Sequence, residues 1–190
     1  MAHEEAANKL SPQEKLEMEN LVFAIKRSIQ YHTHRRLFFD RFDKLVKILS
    51  LITGSGAFVT AVASHQGLTV IFAAIVAALS AISLVVGPAQ AARLHEELAR
   101  RFAQLECDIK RAGQLNSDQL NAFVADRLAI ESDEPPALRV FDTICHNQLC
   151  RALGYESCEF YKVDPVQRFF ANIMDLWPWR MKKLSMSANC

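Results

Sequence analysis

The feature that most constrains this chain is an uncharged stretch, residues 48–92, which contains no Asp, Glu, Lys or Arg. An α-helix rises about 1.5 Å per residue, so crossing a hydrocarbon core of about 30 Å takes about 20 apolar residues. The stretch is long enough for two crossings, and a polar cluster at residues 64–67 divides it. We therefore predict an all-α membrane protein with a two-helix transmembrane hairpin, residues 44–64 and 68–88, joined by an external turn at residues 65–67.

A soluble protein with a buried helical hairpin is the alternative interpretation. Core helices normally carry a polar stripe that faces solvent, and neither half of the stretch has one. Small residues instead recur at helical spacing, which favours close helix packing in lipid, within the hairpin or between protomers. Because two crossings cannot enclose a pore, any channel would be a homo-oligomer. The candidate packing and pore residues are Gly54, Ala57 and Ala61 in the first crossing and Ala73, Ala77 and Ala81 in the second.

Cations flank the stretch on both sides, and residues 65–67 contain no Lys or Arg. Lys and Arg are enriched on the cytoplasmic side of membrane proteins, so we expect both termini in the cytoplasm. Residues 1–47 are polar and amphipathic, which does not match a secretory signal peptide. The chain has 22 basic and 21 acidic side chains, which gives no bias toward nucleic acid. We expect a multi-pass protein whose partner is the lipid bilayer, with no nucleic acid.

Both crossings are expected to continue into the cytoplasm as amphipathic helices. The N-terminal helix, within residues 1–43, begins at Ser11, which is followed by Glu three residues later in the pattern of a capping box. Gly87 and Pro88 are expected to bend the chain where the second crossing ends, and they form a candidate hinge. Residues 89–113 carry a new apolar stripe for packing against the N-terminal helix, so that the two form a helical stalk. The stripe consists of Leu94, Leu98, Phe102, Leu105 and Ile109.

Aromatic and cationic side chains are concentrated at residues 31–41, just before the first crossing. Membrane proteins place such side chains at the lipid headgroups. The alternative is that His32 and His34 sense protons or share a metal. Residues two apart on a helix point in different directions, so a shared metal needs non-helical backbone. The predicted membrane-interface residues here are Tyr31, Arg35, Arg36 and Arg41.

Residues 114–190 are expected to form three further cytoplasmic helices. The first begins at Asn116, the last begins at Asp164, and one lies between them. The last helix has an apolar face from Val166 to Trp177, followed by cations. Amphipathic helices of this composition lie in the membrane interface. Docking on the cytoplasmic helices is the alternative. The interface candidates of this helix are Trp177, Trp179, Arg180, Lys182 and Lys183.

The sequence contains no phosphate-binding loop, dinucleotide-binding motif, serine-hydrolase elbow or zinc-protease motif, so we expect no enzyme and no cofactor. Asp142 and His146 are four residues apart and form a candidate surface pair. Cysteines on both sides of His146 suggest a zinc site, but their spacing matches no paired zinc motif. We therefore expect free thiols and no metal. The five cysteines are Cys107, Cys145, Cys150, Cys158 and Cys190.

A family resemblance is carried by three segments: YHTHRRLFFDRFDKLVKILSLITGSGAF, VVGPAQAARLHEELARRFAQL and DEPPALRVFDTICHNQLCRALGY, within residues 28–155. They resemble the bacterial SLATT proteins, two-transmembrane effectors found beside nucleotide-second-messenger synthases and SLOG sensor domains in conflict systems. The resemblance implies a protein that oligomerises in the inner membrane and forms a pore or disrupts the bilayer, which kills or arrests an infected cell. Unlike many members, this chain has no recognisable fused sensor domain, which leaves its trigger open.

We therefore expect an antiphage effector of the bacterial inner membrane, controlled by its cytoplasmic helices and by a sensor or nucleotide-signalling partner protein. The alternative is a non-catalytic anchor or scaffold, which holds a cytoplasmic partner at the membrane or, if phage-encoded, excludes a second infection. A holin is a third option, although holins rarely carry so large a cytoplasmic part.

Overall fold

The computed structural model describes residues 10–55, 66–155 and 159–184. These ranges contain six α-helices and no β-strand, only an isolated antiparallel bridge between Tyr161 and Lys183. The expected all-helical fold is therefore confirmed for the described residues. The helices are α1 (Pro12–Thr53), α2 (Gln66–Val86), α3 (Pro88–Ala112), α4 (Ser117–Glu131), α5 (Arg139–Ala152) and α6 (Pro165–Phe170), followed by a 3-10 turn at Pro178–Arg180.

The chain divides into two compact units. Unit 1 comprises Met1–Thr33 and Glu97–Cys190, and unit 2 is His34–Glu96. Helices α1 and α3 each contribute residues to both units, whereas α2 lies entirely in unit 2 and α4 to α6 lie entirely in unit 1.

The main core of unit 1 joins α1, α3 and α4. Complete burial of one large apolar side chain contributes about 1.5–3 kcal/mol, so the residues of this cluster together stabilise the unit substantially. The predicted stripe on α3 is confirmed at four of its positions, while Leu94 lies in unit 2 and is exposed. The buried members of the core are Leu21, Ile25, Leu98, Phe102, Leu105, Ile109, Leu120 and Ile130.

The predicted helix starts are confirmed by their hydrogen bonds. At the start of α1, the Ser11 amide donates to Glu14 Oε2 over 2.7 Å and the Glu14 amide donates to Ser11 Oγ over 3.3 Å. Asn116 and Gln119 form the same reciprocal pair before α4, with distances of 2.8 and 3.1 Å. Such capping boxes satisfy backbone donors that the first helical turn leaves open. They fix where these helices begin.

A second core cluster of unit 1 surrounds α5. Its buried members are Tyr31, Val140, Phe141, Cys145 and Ala171. The N-terminus of α5 is capped from a distant part of the chain, because Asp175 accepts from the amides of Arg139 and Val140 over 2.8 and 2.9 Å. This carboxylate also meets the positive end of the helix dipole.

The expected long amphipathic helix at the C-terminus is wrong. Helix α6 begins where predicted, at Pro165 after Asp164, but it ends at Phe170. The chain then folds back, and the buried side chain of Gln167 donates to the carbonyl oxygens of Leu176 and Trp177 over 2.9 and 3.0 Å. Trp177 adopts a left-handed conformation with φ of 46°, and Pro178 follows it. A left-handed residue followed by proline cannot continue an α-helix.

In unit 2, the first predicted crossing, residues 44–64, is described only to residue 55 and is helical as far as Thr53. Helix α1 ends at Thr53, so Gly54 and Ser55 form a turn rather than part of a helical packing face. Two residues of the predicted external turn, Gln66 and Gly67, belong instead to the first turn of α2, and His65 lies outside the described residues. The remaining predictions for this region, including Ala57 and Ala61, lie outside the described residues.

Candidate membrane-spanning site

One helix among the described residues is long and apolar enough to cross a membrane. It covers Gly67–Val86, has a mean hydropathy of 2.6, and buries none of that length within the structure. Leu84 and Val85 each expose 86% of their surface. Twenty residues of helix rise about 30 Å, the thickness of a bilayer hydrocarbon core. This helix corresponds to the second predicted crossing and is evidence for membrane association, whereas the first crossing, and with it the hairpin, is not confirmed.

The small residues of α2 lie on its exposed surface. Ala73, Ala77 and Ala81 are each separated by four residues, so they share one helical face, and all three are exposed. A face of this kind allows a second helix backbone to approach closely in lipid. Its role in assembly stays a prediction.

The chain breaks between α2 and α3 at Gly87, as the sequence predicts. Gly87 has φ of +57°, a left-handed conformation that glycine adopts without strain. The Gly87 amide donates to Ser83 O over 3.0 Å, and its carbonyl accepts from Ala91 N over 3.0 Å. Both helices therefore keep their terminal backbone bonds at this glycine. An added Cβ at Gly87 would lie 3.0 Å from Gln90 Oε1.

A cavity of about 320 Å³ adjoins the break within unit 2. Its polar lining includes Asp43 from α1 and Ser80 and Ser83 from α2. Asp43 also accepts from Lys47 Nζ over 2.6 Å, one turn further along α1. The two serines near the C-terminal end of α2 therefore share this cavity with Asp43 of α1.

Three of the predicted interface cations lie in unit 2, and two of them have partners there. The Arg35 guanidinium lies 4.6 Å from the centre of the Phe39 ring, a cation–π distance. Arg36 pairs with Glu96 over 3.1 Å. Arg41 is exposed. Their predicted contact with lipid headgroups stays a prediction.

The predicted interface position of Tyr31 is wrong, because this residue is buried in unit 1. Its hydroxyl accepts from the Leu138 amide over 3.0 Å, and its ring lies 5.4 Å from that of Phe141. The neighbouring His32 is also buried, with Nε2 3.0 Å from Glu134 Oε1 and its ring stacked on Phe102 at 5.8 Å. Tyr31 and His32 therefore hold α1 against other helices of unit 1.

Asp142 and His146 lie near enough on α5 to interact electrostatically, and each also has a direct contact elsewhere. Asp142 pairs with Arg27 over 3.3 Å, and burial raises the pKa of its carboxyl above the usual range despite that partner. His146 Nε2 lies 3.2 Å from Glu159 O and 3.4 Å from Cys150 Sγ. The contact with Glu159 fastens the segment that follows α5 to that helix.

The thiols of α5 have the properties of protonated core groups. Burial raises the pKa of Cys145 to about 12 and also raises that of Cys150, so both remain thiols at neutral pH. Cys107 on α3 is exposed. Among the described residues, no group of three or more His, Cys, Asp and Glu side chains is placed to hold a metal ion. Cys158 and Cys190 lie outside the described residues.

The C-terminal interface candidates lie on the surface of unit 1, although not on a helix of the predicted kind. Trp177 and Trp179 are exposed, and the Arg180 guanidinium lies 6.0 Å from the Trp177 ring. Lys182 is exposed, and Lys183 pairs with Glu159 over 2.8 Å. The sequence reasoning found these surface residues but missed the residue that positions them, Gln167. Its place three residues after Asp164, at the second corner of a capping box, was the available signal.

Comparisons with protein-family models, with curated proteins and with solved structures find no match to this chain.

Proposed function

We propose that this chain is an inner-membrane effector of the SLATT type, which oligomerises to form a pore or to disrupt the bilayer in antiphage defence. The observation that supports this most directly is the exposed apolar helix α2 at Gly67–Val86, none of which is buried. A water-soluble protein rarely exposes an apolar surface of this size, because burying it in a partner or in lipid is strongly favourable. In lipid the same helix satisfies every interior backbone group by itself.

The arrangement around α2 supports a protein that responds to events in its cytoplasmic part. The left-handed Gly87 separates the uncharged, mostly apolar α2 from α3, whose stripe packs into the core of unit 1. In our proposal a signal or partner rearranges the helices of unit 1, and the change reaches the membrane through the chain at Gly87. Copies of α2 then associate through the face of Ala73, Ala77 and Ala81.

Induced expression with a membrane-potential dye and a growth curve tests this proposal. We expect the wild-type chain to depolarise the inner membrane and stop growth under its trigger condition. Ala77→Arg places a charge near the centre of α2, which costs about 2.5–3.5 kcal/mol in membrane insertion and should abolish both effects. Ala122→Arg, on an exposed surface of α4, is the matched control and should behave as wild type. Unchanged potential and growth under every trigger condition would contradict the proposal.

A second candidate function is a membrane anchor for a cytoplasmic partner. An apolar cavity of about 320 Å³ on unit 1 favours it, because its walls include Val22, Phe23, Leu153 and Tyr155. Purification in mild detergent separates the two functions, since an anchor recovers a stoichiometric partner and an effector recovers mainly itself. Leu153→Asp should release such a partner, whereas Leu128→Asp, the same substitution at another exposed leucine, should retain it.

A further inference from the structure

The C-terminal segment, residues 159–184 of unit 1, exposes an unusual number of large apolar side chains. Phe169 and Trp179 expose 77% and 75% of their surface. Scattered single apolar residues are normal on a protein surface, whereas a concentration of this kind usually marks an interaction site. The exposed apolar residues are Val166, Phe169, Ile173, Met174, Trp177, Trp179 and Leu184.

Internal hydrogen bonds hold this segment in the conformation that displays them. Gln167, which is 2% exposed, binds the carbonyl oxygens of Leu176 and Trp177. Asp175 binds the N-terminus of α5. The Leu184 amide donates to Phe160 O over 2.7 Å, which closes the end of the segment against its beginning. The apolar side chains therefore face outward from an ordered scaffold, and a binding partner need not pay to order them.

The charges of the segment favour an anionic partner. The segment contains five cations and three carboxylates, and all three carboxylates are engaged within the fold. Asp164 belongs to the capping box of α6, and Asp175 caps α5. All five cations are exposed, and the one ion pair that they form in the described part of the chain joins Lys183 to Glu159. The five cations are Lys162, Arg168, Arg180, Lys182 and Lys183.

We infer that the C-terminal segment docks on the surface of an anionic bilayer, with Trp177 and Trp179 at the depth of the lipid headgroups. Aromatic side chains beside cations match that interface, where the rings prefer the boundary layer and the cations meet lipid phosphate. The inference rests on the proposed membrane location, because α2 would keep the segment tethered to the same membrane and raise its effective concentration there. It adds a second, reversible membrane contact to the one made by α2.

The composition of the chain supplies a direct test, because Trp177 and Trp179 are its two tryptophans. The full chain is reconstituted in phosphatidylcholine vesicles with and without phosphatidylglycerol. Lipids brominated on the acyl chain quench tryptophans at the interface, and acrylamide quenches those in water. With phosphatidylglycerol we expect strong quenching by brominated lipid and protection from acrylamide, and both effects should weaken at high salt.

Charge variants show whether the cations carry the docking. The triple variant Lys162→Gln, Arg168→Gln, Lys182→Gln leaves the Arg180–Trp177 contact in place and should weaken docking about fivefold for each cation removed. The matched control removes three exposed cations of α1 and α3 (Lys15→Gln, Lys110→Gln, Arg111→Gln) and should leave the quenching unchanged.

Tryptophans that acrylamide quenches freely and brominated lipid does not would overturn the inference. Equal quenching with and without phosphatidylglycerol, or equal quenching in both charge variants, would overturn it as well. Treatment of the vesicles with alkaline carbonate reports on α2 alone, because it removes proteins that do not span the bilayer. Release of the chain by carbonate would contradict the proposed function, whatever the tryptophan quenching shows. Failure of the proposed function and failure of this inference are therefore distinguishable.

Discussion

Phe102→Ala tests the core of unit 1 at a position of complete burial. Phe102 exposes 0% of its surface, stacks on the His32 ring at 5.8 Å and belongs to the cluster of α1, α3 and α4. Truncating a buried phenylalanine to alanine typically costs about 3–5 kcal/mol, because the lost burial and the remaining cavity both count. This corresponds to an increase of about 150- to 5000-fold in the unfolding equilibrium constant.

The assay is guanidinium unfolding of the full chain in mild detergent, followed by the fluorescence of Trp177 and Trp179, which both lie in unit 1. A loss of about 4 kcal/mol should lower the transition midpoint by about 1 M, given a typical dependence on guanidinium of about 4 kcal/mol per molar. Helical content at low denaturant should stay as in the wild type.

Phe169→Ala is the matched control, since it makes the same substitution where 77% of the side chain is exposed. Its cost should stay within about 1 kcal/mol, which allows for the lost ring contact with Phe170 at 5.0 Å. If both variants lower the midpoint equally, or if neither does, the assignment of Phe102 to the stabilising core is refuted.

Three further predictions concern local contacts of unit 1. Asn116→Ala removes the capping box of α4 and should cost about 1 kcal/mol in a thermal melt, whereas Asn116→Ser, which can still cap, should recover most of the loss. Burial raises the pKa of Asp142 above its usual value, so the folded state holds this proton more tightly than the unfolded chain. The resulting stability is present below about pH 4 and is lost as the pH rises through the folded pKa. In thermal melts between pH 4 and pH 7, the melting temperature of Asp142→Asn should therefore rise relative to that of the wild type as the pH increases. A difference in melting temperature that does not change with pH would contradict the sign of the pKa shift. In a maleimide time course read by peptide mass spectrometry, exposed Cys107 should react well before Cys145, whose pKa is about 12, and equal rates would disprove the buried position of Cys145.

Helix starts were predictable because their determinants are local. The partners at Ser11 and Asn116 lie three residues further along the chain, so the sequence displays the whole capping motif. The apolar stripe of α3 was predictable for the same reason, since its spacing repeats within one helix. Only Leu94 departs from the stripe, because it precedes the part of α3 that lies in unit 1.

The end of α6 and the position of Tyr31 depend on distant residues, which is why the sequence did not reveal them. Helix α6 ends at Phe170. The chain after it is held by Asp175, which binds the amides of Arg139 and Val140 at the start of α5, 36 and 35 positions earlier in the sequence. The residues next to Tyr31 in the sequence do not indicate its burial, because its hydroxyl accepts a hydrogen bond from the Leu138 amide, 107 positions away. A sequence in which an aromatic residue lies close to cations looks the same whether that aromatic residue lies at a membrane surface or in a protein core. Periodicity therefore predicted the helices better than it predicted their surroundings.

The break at Gly87 separates the backbone hydrogen bonds of α2 from those of α3. The amide of this left-handed glycine donates to the last turn of α2, and its carbonyl accepts from the first turn of α3. In an uninterrupted helix each amide binds the carbonyl four residues earlier, so loss of one turn weakens the next. Fraying of the last turn of α2 therefore leaves the backbone bonds of α3 intact.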